Sequence, residues 1–353
     1  MSDPGRRPEY KVYRSRRNPL AGLRPKGNVD SLRSRLGRRG DRGPRERKPW
    51  TPGRVVAWIG LAALVWLLFS VALFMLSAQL EEGVSDGAEG ALSSQGNLIT
   101  GSNILVLGSD ARTGKSLDKS QQGPSRADSI MVVHAAFGGV RKLSIPRDSF
   151  AQIPGHSGQK INAAYALGGA ALTIETVESF LGNGMRINHV IEVDFEDFPK
   201  LIDSLGGITV NVDRRICSPP FDNFWKGLNF KAGEQELDGD KALGFSRIRK
   251  NTCAPNESDI DRARRQQQVL SGIKGQVTSP STFVRLPLVS WKAPKALKTD
   301  MQGPALMALF ADMATSGTDE TMVLEPSCLS CGPGGTLVVS DGSKADAVRK
   351  LGG

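Results

Sequence analysis

Arginines and aspartates are the residues whose spacing could do chemistry in this chain. Asp110 and Arg112 follow the run "NILVLG", Arg126 and Asp128 stand just ahead of "SIMVV", and Arg147 and Asp148 close "KLSIPRD". Arg247 and Arg249 are two apart in "FSRIRKN", and in extended backbone both would point to one face. In "SDIDRARRQQQ", Arg262 and Gln266 are four apart on one helical face, with Arg265 and Gln267 close by. Any one of these reads equally well as a solvated charge. Five clusters at element ends point instead to a ligand, because open α/β sheets bind ligands beyond their strand ends. The chemistry this set suits is a metal-bridged diphosphate. Two carboxylates can hold Mg2+, which takes one or two carboxylates plus phosphate oxygens. Arginine forks match phosphate oxygens and stay charged at any working pH, and they stabilise the charge that develops on a leaving phosphate.

Other chemistries fit less well. "GSDARTGKS" looks like a phosphate-binding loop, but that motif has four residues between its first glycine and Gly-Lys, whereas five separate Gly108 from Gly114. Asp110 would also set a carboxylate where an anion should lie. The three histidines, His134, His156 and His189, come without a Gly-x-Ser-x-Gly elbow or a His-Glu-x-x-His helix, which disfavours serine and zinc hydrolysis.

The elements that must position these residues are legible as runs. "NILVLG", "SIMVVHAA", "RKLSIPRD", "HVIEVDF" and "GITVNV" read as strands. "INAAYALGGAALTIETVESFLG" has helical spacing with a break at Gly168-Gly169, and "DFEDFPKLIDSLGG", "GEQELDGDKALGFS" and "DIDRARRQQQVLSGIKGQV" also read as helices. Strands alternating with helices argue for an α/β sandwich around one sheet.

Charge divides the chain. Residues 1–54 hold 17 Lys or Arg against 5 acidic residues, so the net +10 of the whole belongs to this arm and the remainder carries −2. The arm is rich in Pro, Gly and Arg and lacks apolar periodicity, so it is expected to be a disordered basic segment. Val55–Leu80 follows without a charge, longer than the roughly 20 residues a membrane crossing needs. The arginine-rich side is then cytoplasmic and the chain after about residue 81 extracytoplasmic, by the positive-inside rule. A basic arm beside a span needs no nucleic-acid partner, and none is expected. The Gly-, Ser- and Glu-rich stretch 81–99 reads as a flexible stalk, and 100–353 as one extracytoplasmic domain. Cys217, Cys253, Cys328 and Cys331 all follow the span, where disulfides form. Three pairings are open, Cys217–Cys253 with Cys328–Cys331 being the expected one. A four-cysteine zinc site usually needs two Cys-x-x-Cys pairs, and there is one.

Taken in order, "NILVLGSDAR", "RADSIMVVH", "KLSIPRDSF", "KINAAYALGG", "GGITVNV", "LDGDKALGFSRIRK" and "SDIDRARRQQ" resemble the LytR-CpsA-Psr family of cell-envelope phosphotransferases. The resemblance covers residues 101 to about 275. It implies an α/β/α sandwich with one central mixed sheet, and transfer of a phosphoglycan from a polyprenyl-pyrophosphate carrier to peptidoglycan. It further implies Asp110 and Asp128 as the Mg2+ carboxylates, and Arg126, Arg147, Arg247 and Arg249 around the pyrophosphate. Lys160, Arg265 and Gln267 become helpers and Asp259 a base, while Arg112 contacts phosphate or braces its loop. The helices within 161–181 and 194–205 are expected to line a lipid groove. Ser258 stands where the family reads glycine, and the preceding loop "KNTCAPNESD" is long. Two other readings stay open, a polyprenyl pyrophosphate hydrolase and a non-catalytic lipid-carrier binding protein. A membrane-bound transcription regulator would need a cytoplasmic DNA-binding fold, and the arm offers none.

Overall fold

The computed structural model describes residues 51–81, 83–93, 101–109, 127–136, 139–221, 225–255, 257, 259–315 and 319–352. Asp110, Arg112 and Arg126 lie outside the described residues, as do most of the basic arm and the side chain of Asp259. The chain forms two units, Met1–Trp58 and Ile59–Gly353. Of the first, only 51–58 are described, and they open helix α1 (Pro52–Leu80), a 29-residue helix long and apolar enough to cross a membrane.

In the second unit, α2 (Asp86–Ala91) precedes strands β1 (Ser102–Ser109), β2 (Ala127–Ala136) and β3 (Gly139–Ile145). A short hairpin, β4 (Phe150–Ala151) and β5 (Gln159–Lys160), leads into α3 (Ala163–Leu181), β6 (His189–Asp194) and α4 (Phe198–Leu205). Then come β7 (Ile208–Val212), β8 (Ile216–Cys217), β9 (Asn229–Phe230), β10 (Gly233–Leu237), α5 (Gly239–Arg247), α6 (Asp259–Val277) and α7 (Pro280–Lys292). The chain finishes with β11 (Leu297–Thr299), α8 (Gly303–Thr315), β12 (Asp319–Val323) and α9 (Asp341–Gly352).

Six strands form one sheet in the order β11-β6-β1-β2-β3-β12. The β1/β6 and β3/β12 pairs are parallel and the others antiparallel, so the sheet is mixed. Side chains alternate between its faces. Leu105, Leu107, Ile130 and Val132 pack beneath Ile174 and Val177 of α3 and Leu351 of α9. Ile104, Met131 and Val133 pack on the opposite face with Leu306 and Leu309 of α8 and Phe74 of α1. Both faces are covered, which is why β1 and β2 read as nearly unbroken apolar runs. A third cluster joins Ile202 of α4, Val210 of β7, Phe245 of α5 and Val269 of α6. Each such side chain contributes about 1.5–3 kcal/mol on leaving water. The result is the expected α/β/α sandwich.

The structure departs from the sequence reading in two places. Part of the expected stalk is the helix α2, with Val84 and Ala88 buried in the core under α3. The segment read as one helix from Gly233 is a strand, β10, paired with β7, and then a new helix capped by the Asp238 carboxylate on Lys241 N–H. Inside α3, Gly168 and Gly169 leave helical geometry at the predicted break, Gly169 with a φ of 64° that favours glycine. The cysteines pair as Cys217–Cys253 and Cys328–Cys331.

Candidate functional site

The site grows from the β2–β3 hairpin. Ile130 pairs with Ile145, so Asp128 at the start of β2 and Arg147 just beyond β3 come to the same end of the sheet. There Arg147 Nη1 donates to Asp128 Oδ1 at 2.6 Å. Two more guanidinium groups arrive from α5. Arg247 is its last residue, and Ile248 leaves helical geometry with ψ 125°, carrying Arg249 onward in extended backbone. The expected extended segment is thus a helix end plus a short run, and both arginines still converge. Arg249 Nη2 lies 3.2 Å from Asp128 Oδ1, and Arg247 Nη2 lies 3.8 Å from Oδ2.

Asp128 is buried, and burial alone would push its carboxyl up. The charges of Arg249, Arg147, Arg262 and Arg247 outweigh that effect and hold it below the ordinary aspartate value. Guanidinium groups match phosphate oxygens with forked contacts, so their convergence at one end of the sheet is suited to accept phosphate.

Beside this cluster a cavity of about 90 Å³ opens under the sheet. Val106, Met131, Val193, Phe195, Phe198, Leu243, Val269 and Leu270 give it apolar walls, and Asp128, Ser129, Arg247, Arg249, Arg262 and Gln266 give it one polar side. Gly108 keeps it open. A Cβ there would sit 3.1 Å from the Ser129 Cβ and 3.3 Å from the Phe195 ring. Arg247 lies over the Phe195 ring at 5.0 Å and near the Trp225 ring at 5.9 Å, so its cation is held by aromatic faces as well as by Asp128.

The other expected residues fall in different places. Lys160 pairs with Asp148 at 3.0 Å, and Asp148 in turn lies 3.9 Å from Arg147 Nε, so Lys160 supports the cluster from outside the cavity. Arg265 is buried with Nη1 on Glu257 at 2.7 Å and Nη2 on the Ile248 carbonyl at 2.7 Å. It braces the segment between Arg247 and Arg249 and does not line the cavity. Gln267 points to Ser144 Oγ and the Met322 carbonyl, at 2.9 and 3.2 Å. The glutamine facing the cavity is Gln266, which accepts from Ser129 Oγ at 2.9 Å. Arg262 and Gln266, four apart on α6, mark the cavity face, and continuing that spacing to Leu270 would have found the wall. The aromatic holders Phe195 and Trp225 had no signal in the sequence. The expected groove helices also divide. Phe198 of α4 lines the cavity, whereas α3 packs on the opposite face of the sheet and α6 takes its place.

Oxygen donors without sulfur or imidazole suit a hard cation such as Mg2+. Among the described residues lining the cavity, Asp128 is the one carboxylate. Its expected companion, Asp110, lies outside the described residues, and Asp259 has no described side chain.

The profile of the LytR_cpsA_psr family matches residues 78–326. The chain is 38% identical over 192 residues to the regulatory protein MsrR of Staphylococcus aureus (strain COL), covering 53% of each. It is 34% identical over 241 residues to the polyisoprenyl-teichoic acid–peptidoglycan teichoic acid transferase TagV of Bacillus subtilis (strain 168), covering 66% of this chain and 60% of that one. The chain thus spans about half the length of MsrR and under two thirds of TagV. The crystal structure of B. subtilis TagV superposes with a TM-score of 0.57 at 30% identity, over 71% of this chain and 96% of that one.

Proposed function

The chain belongs to the LytR-CpsA-Psr family, and on that premise we propose that it is a membrane-anchored phosphotransferase. It moves a glycan phosphate from a polyprenyl-pyrophosphate carrier to peptidoglycan. The observation that carries this reading is the packing of Arg147, Arg247 and Arg249 around Asp128 at the polar side of an apolar cavity. A prenyl chain and a pyrophosphate need those two surfaces side by side. TagV, named as a polyisoprenyl-teichoic acid–peptidoglycan transferase, supports the reaction class.

In this reading the arginines bind the pyrophosphate through forked contacts, together with Arg126. An acceptor sugar hydroxyl attacks the phosphorus attached to the glycan and gives its proton to Asp259. The bond from that phosphorus to the bridging oxygen breaks, and polyprenyl phosphate departs with its charge held by Arg247 and Arg249. Asp128 and Asp110 would hold Mg2+, which when bound neutralises phosphate oxygens. Arg265 and Lys160 position rather than react. Helix α1 crosses the membrane with the basic arm in the cytoplasm and the domain outside.

The test is incubation of the purified full chain with lipid-pyrophosphoryl glycan, Mg2+ and peptidoglycan fragments. Glycan joined to the acceptor is the expected product. Free phosphoglycan released at the same rate without acceptor would indicate a hydrolase. No turnover, with lipid binding unaffected by Asp128→Ala or by EDTA, would leave a carrier-binding protein. Arg249→Ala should slow transfer by about 10²-fold or more, the loss typical of removing one charge-stabilising donor.

A further inference from the structure

Helices α1 and α7 lie side by side and run in the same direction. Trp66 Nε1 donates to the Phe283 carbonyl at 3.0 Å, and Ser77 Oγ to the Trp291 carbonyl at 2.9 Å. Beyond the helix ends, Lys295 pairs with Glu81 at 3.4 Å. Three contacts therefore tie the outer half of α1 to α7 and the turn after it. Residues 55–65, the charge-free part of α1 before the first of them, make about 16 Å of helix at 1.5 Å per residue. A hydrocarbon core is about 30 Å thick. A span that starts at Val55 therefore has roughly 14 Å of hydrocarbon still to cross when it reaches Phe283.

The surface of α7 matches that place. Phe283, Val284 and Leu288 are 43%, 72% and 50% exposed, and on the neighbouring α1 Leu67, Leu68 and Phe69 are exposed beside Trp66, which bonds the Phe283 carbonyl. The charges of α7 are Arg285 and Lys292, with no acid. The guanidinium of Arg285 lies against Gly206 at the carboxyl end of α4. Polar groups at the lower end of α7 are closed on one another. Ser279 Oγ bonds Ser281 Oγ at 2.7 Å, Thr282 Oγ1 donates to the Gln276 carbonyl at 2.6 Å, and Thr278 Oγ1 to the Gly275 carbonyl at 3.1 Å. Gln276 Nε2 reaches the Leu205 carbonyl at 3.1 Å. Internal satisfaction of polar groups is what a low-dielectric surrounding demands. At the upper end, Lys295 sits 4.9 Å over the Trp291 ring, the pairing of cation and indole expected at a headgroup boundary.

We propose that α7 is a second membrane element, its Phe283, Val284 and Leu288 face seated in the outer leaflet beside α1. The occupant is lipid, because the patch stands on a helix tied directly to the span itself. A domain held in this way has its cavity close to the bilayer that carries prenyl substrates. The inference rests on reading α1 as the span, and the test separates the two. Leu64→Cys, Val284→Cys, Leu288→Cys and Lys350→Cys, made singly in the full chain, accept an environment-sensitive fluorophore because the four native cysteines are in disulfides. Each is reconstituted into phosphatidylethanolamine–phosphatidylglycerol vesicles carrying nitroxide-labelled acyl chains. Labels at 64, 284 and 288 should be quenched at least about threefold more than the label at 350, as for a helix lying 5–10 Å into the acyl boundary. Quenching at 64 with 284 and 288 matching 350 would overturn the proposal and keep the span. No quenching at 64 would overturn the span, and the proposal with it.

Discussion

Arg147 meets Asp128 at 2.6 Å because the hairpin between β2 and β3 returns the chain to the point where the buried carboxylate sits. Asp128 is thereby the anion on which guanidinium groups from β3, α5 and α6 converge. Its depressed pKa fixes the sign of a stability test. The stabilisation is fully present above the ordinary aspartate value of 3.8 and drains away as pH falls through the lower folded-state value. Asp128→Asn should cost about 2 kcal/mol at pH 7, the scale of a charge-assisted bond to a buried group. Denaturant melts from pH 7 downward should show a constant gap to about pH 4, closing below it. A gap that widened on acidification would contradict the ion-pair account.

Gln266 and Gln267 are neighbours that the structure assigns to different work. Gln266 meets Ser129 in the cavity, while Gln267 ties α6 to Ser144 and the Met322 carbonyl. Gln267→Ala should therefore lower stability by about 1–2 kcal/mol, two hydrogen bonds to part-buried partners being lost, with KM little changed. Gln266→Ala should raise KM for the lipid substrate, with a smaller loss of stability for its one hydrogen bond to Ser129. The reverse pattern, read from melts and steady-state kinetics, would return Gln267 to the site.

That pair also marks where sequence reading ends. Asp128, Arg147, Arg247 and Arg249 were legible because each stands at the end of a strand or helix that its own apolar pattern defines. On α6, family spacing points to Gln267, but rotation about the helix is set by what Val269 and Leu270 bury, and that packing turns Gln266 inward. The family resemblance implies Arg265 as a phosphate helper, whereas the structure gives it a buried partner, Glu257. Placing α3 in the groove failed for a related reason. Its apolar face is real, but only the sheet order shows that it covers the other side.

Arg265 and Glu257 are 5% and 4% exposed in their side chains, and Glu257 also accepts from Asn251 at 2.6 Å. Asn251 Oδ1 receives the N–H groups of Cys217 and Cys253, the two ends of a disulfide. The backbone on either side of Arg249 is therefore held at Ile248 and at Asn251. Arg265→Ala leaves a buried carboxylate unpaired and should cost about 3–5 kcal/mol. Glu257→Gln keeps the shape and should cost less, while loosening Arg249 enough to lower kcat. Full activity in Glu257→Gln would remove the brace from the mechanism.

Gly108 offers a test of the cavity that leaves every charged residue in place. It lies on β1 opposite Ser129, and a Cβ would stand 3.1 Å from that residue and 3.3 Å from Phe195. The clash involves side chains rather than backbone, so Gly108→Ala can be accommodated by a shift of the Phe195 ring, at about 1–3 kcal/mol for overpacking. That ring is one of the two that hold Arg247, at 5.0 Å. Displacing it narrows the apolar space and disturbs the arginine together. Binding of a prenyl pyrophosphate should weaken at least tenfold, roughly 1.4 kcal/mol. Inorganic pyrophosphate, which needs only the polar side, should lose less. Calorimetric titration of both ligands distinguishes the cases. Equal losses would mean that the glycine serves the arginines alone, and no loss for either would place the prenyl chain in another part of the molecule.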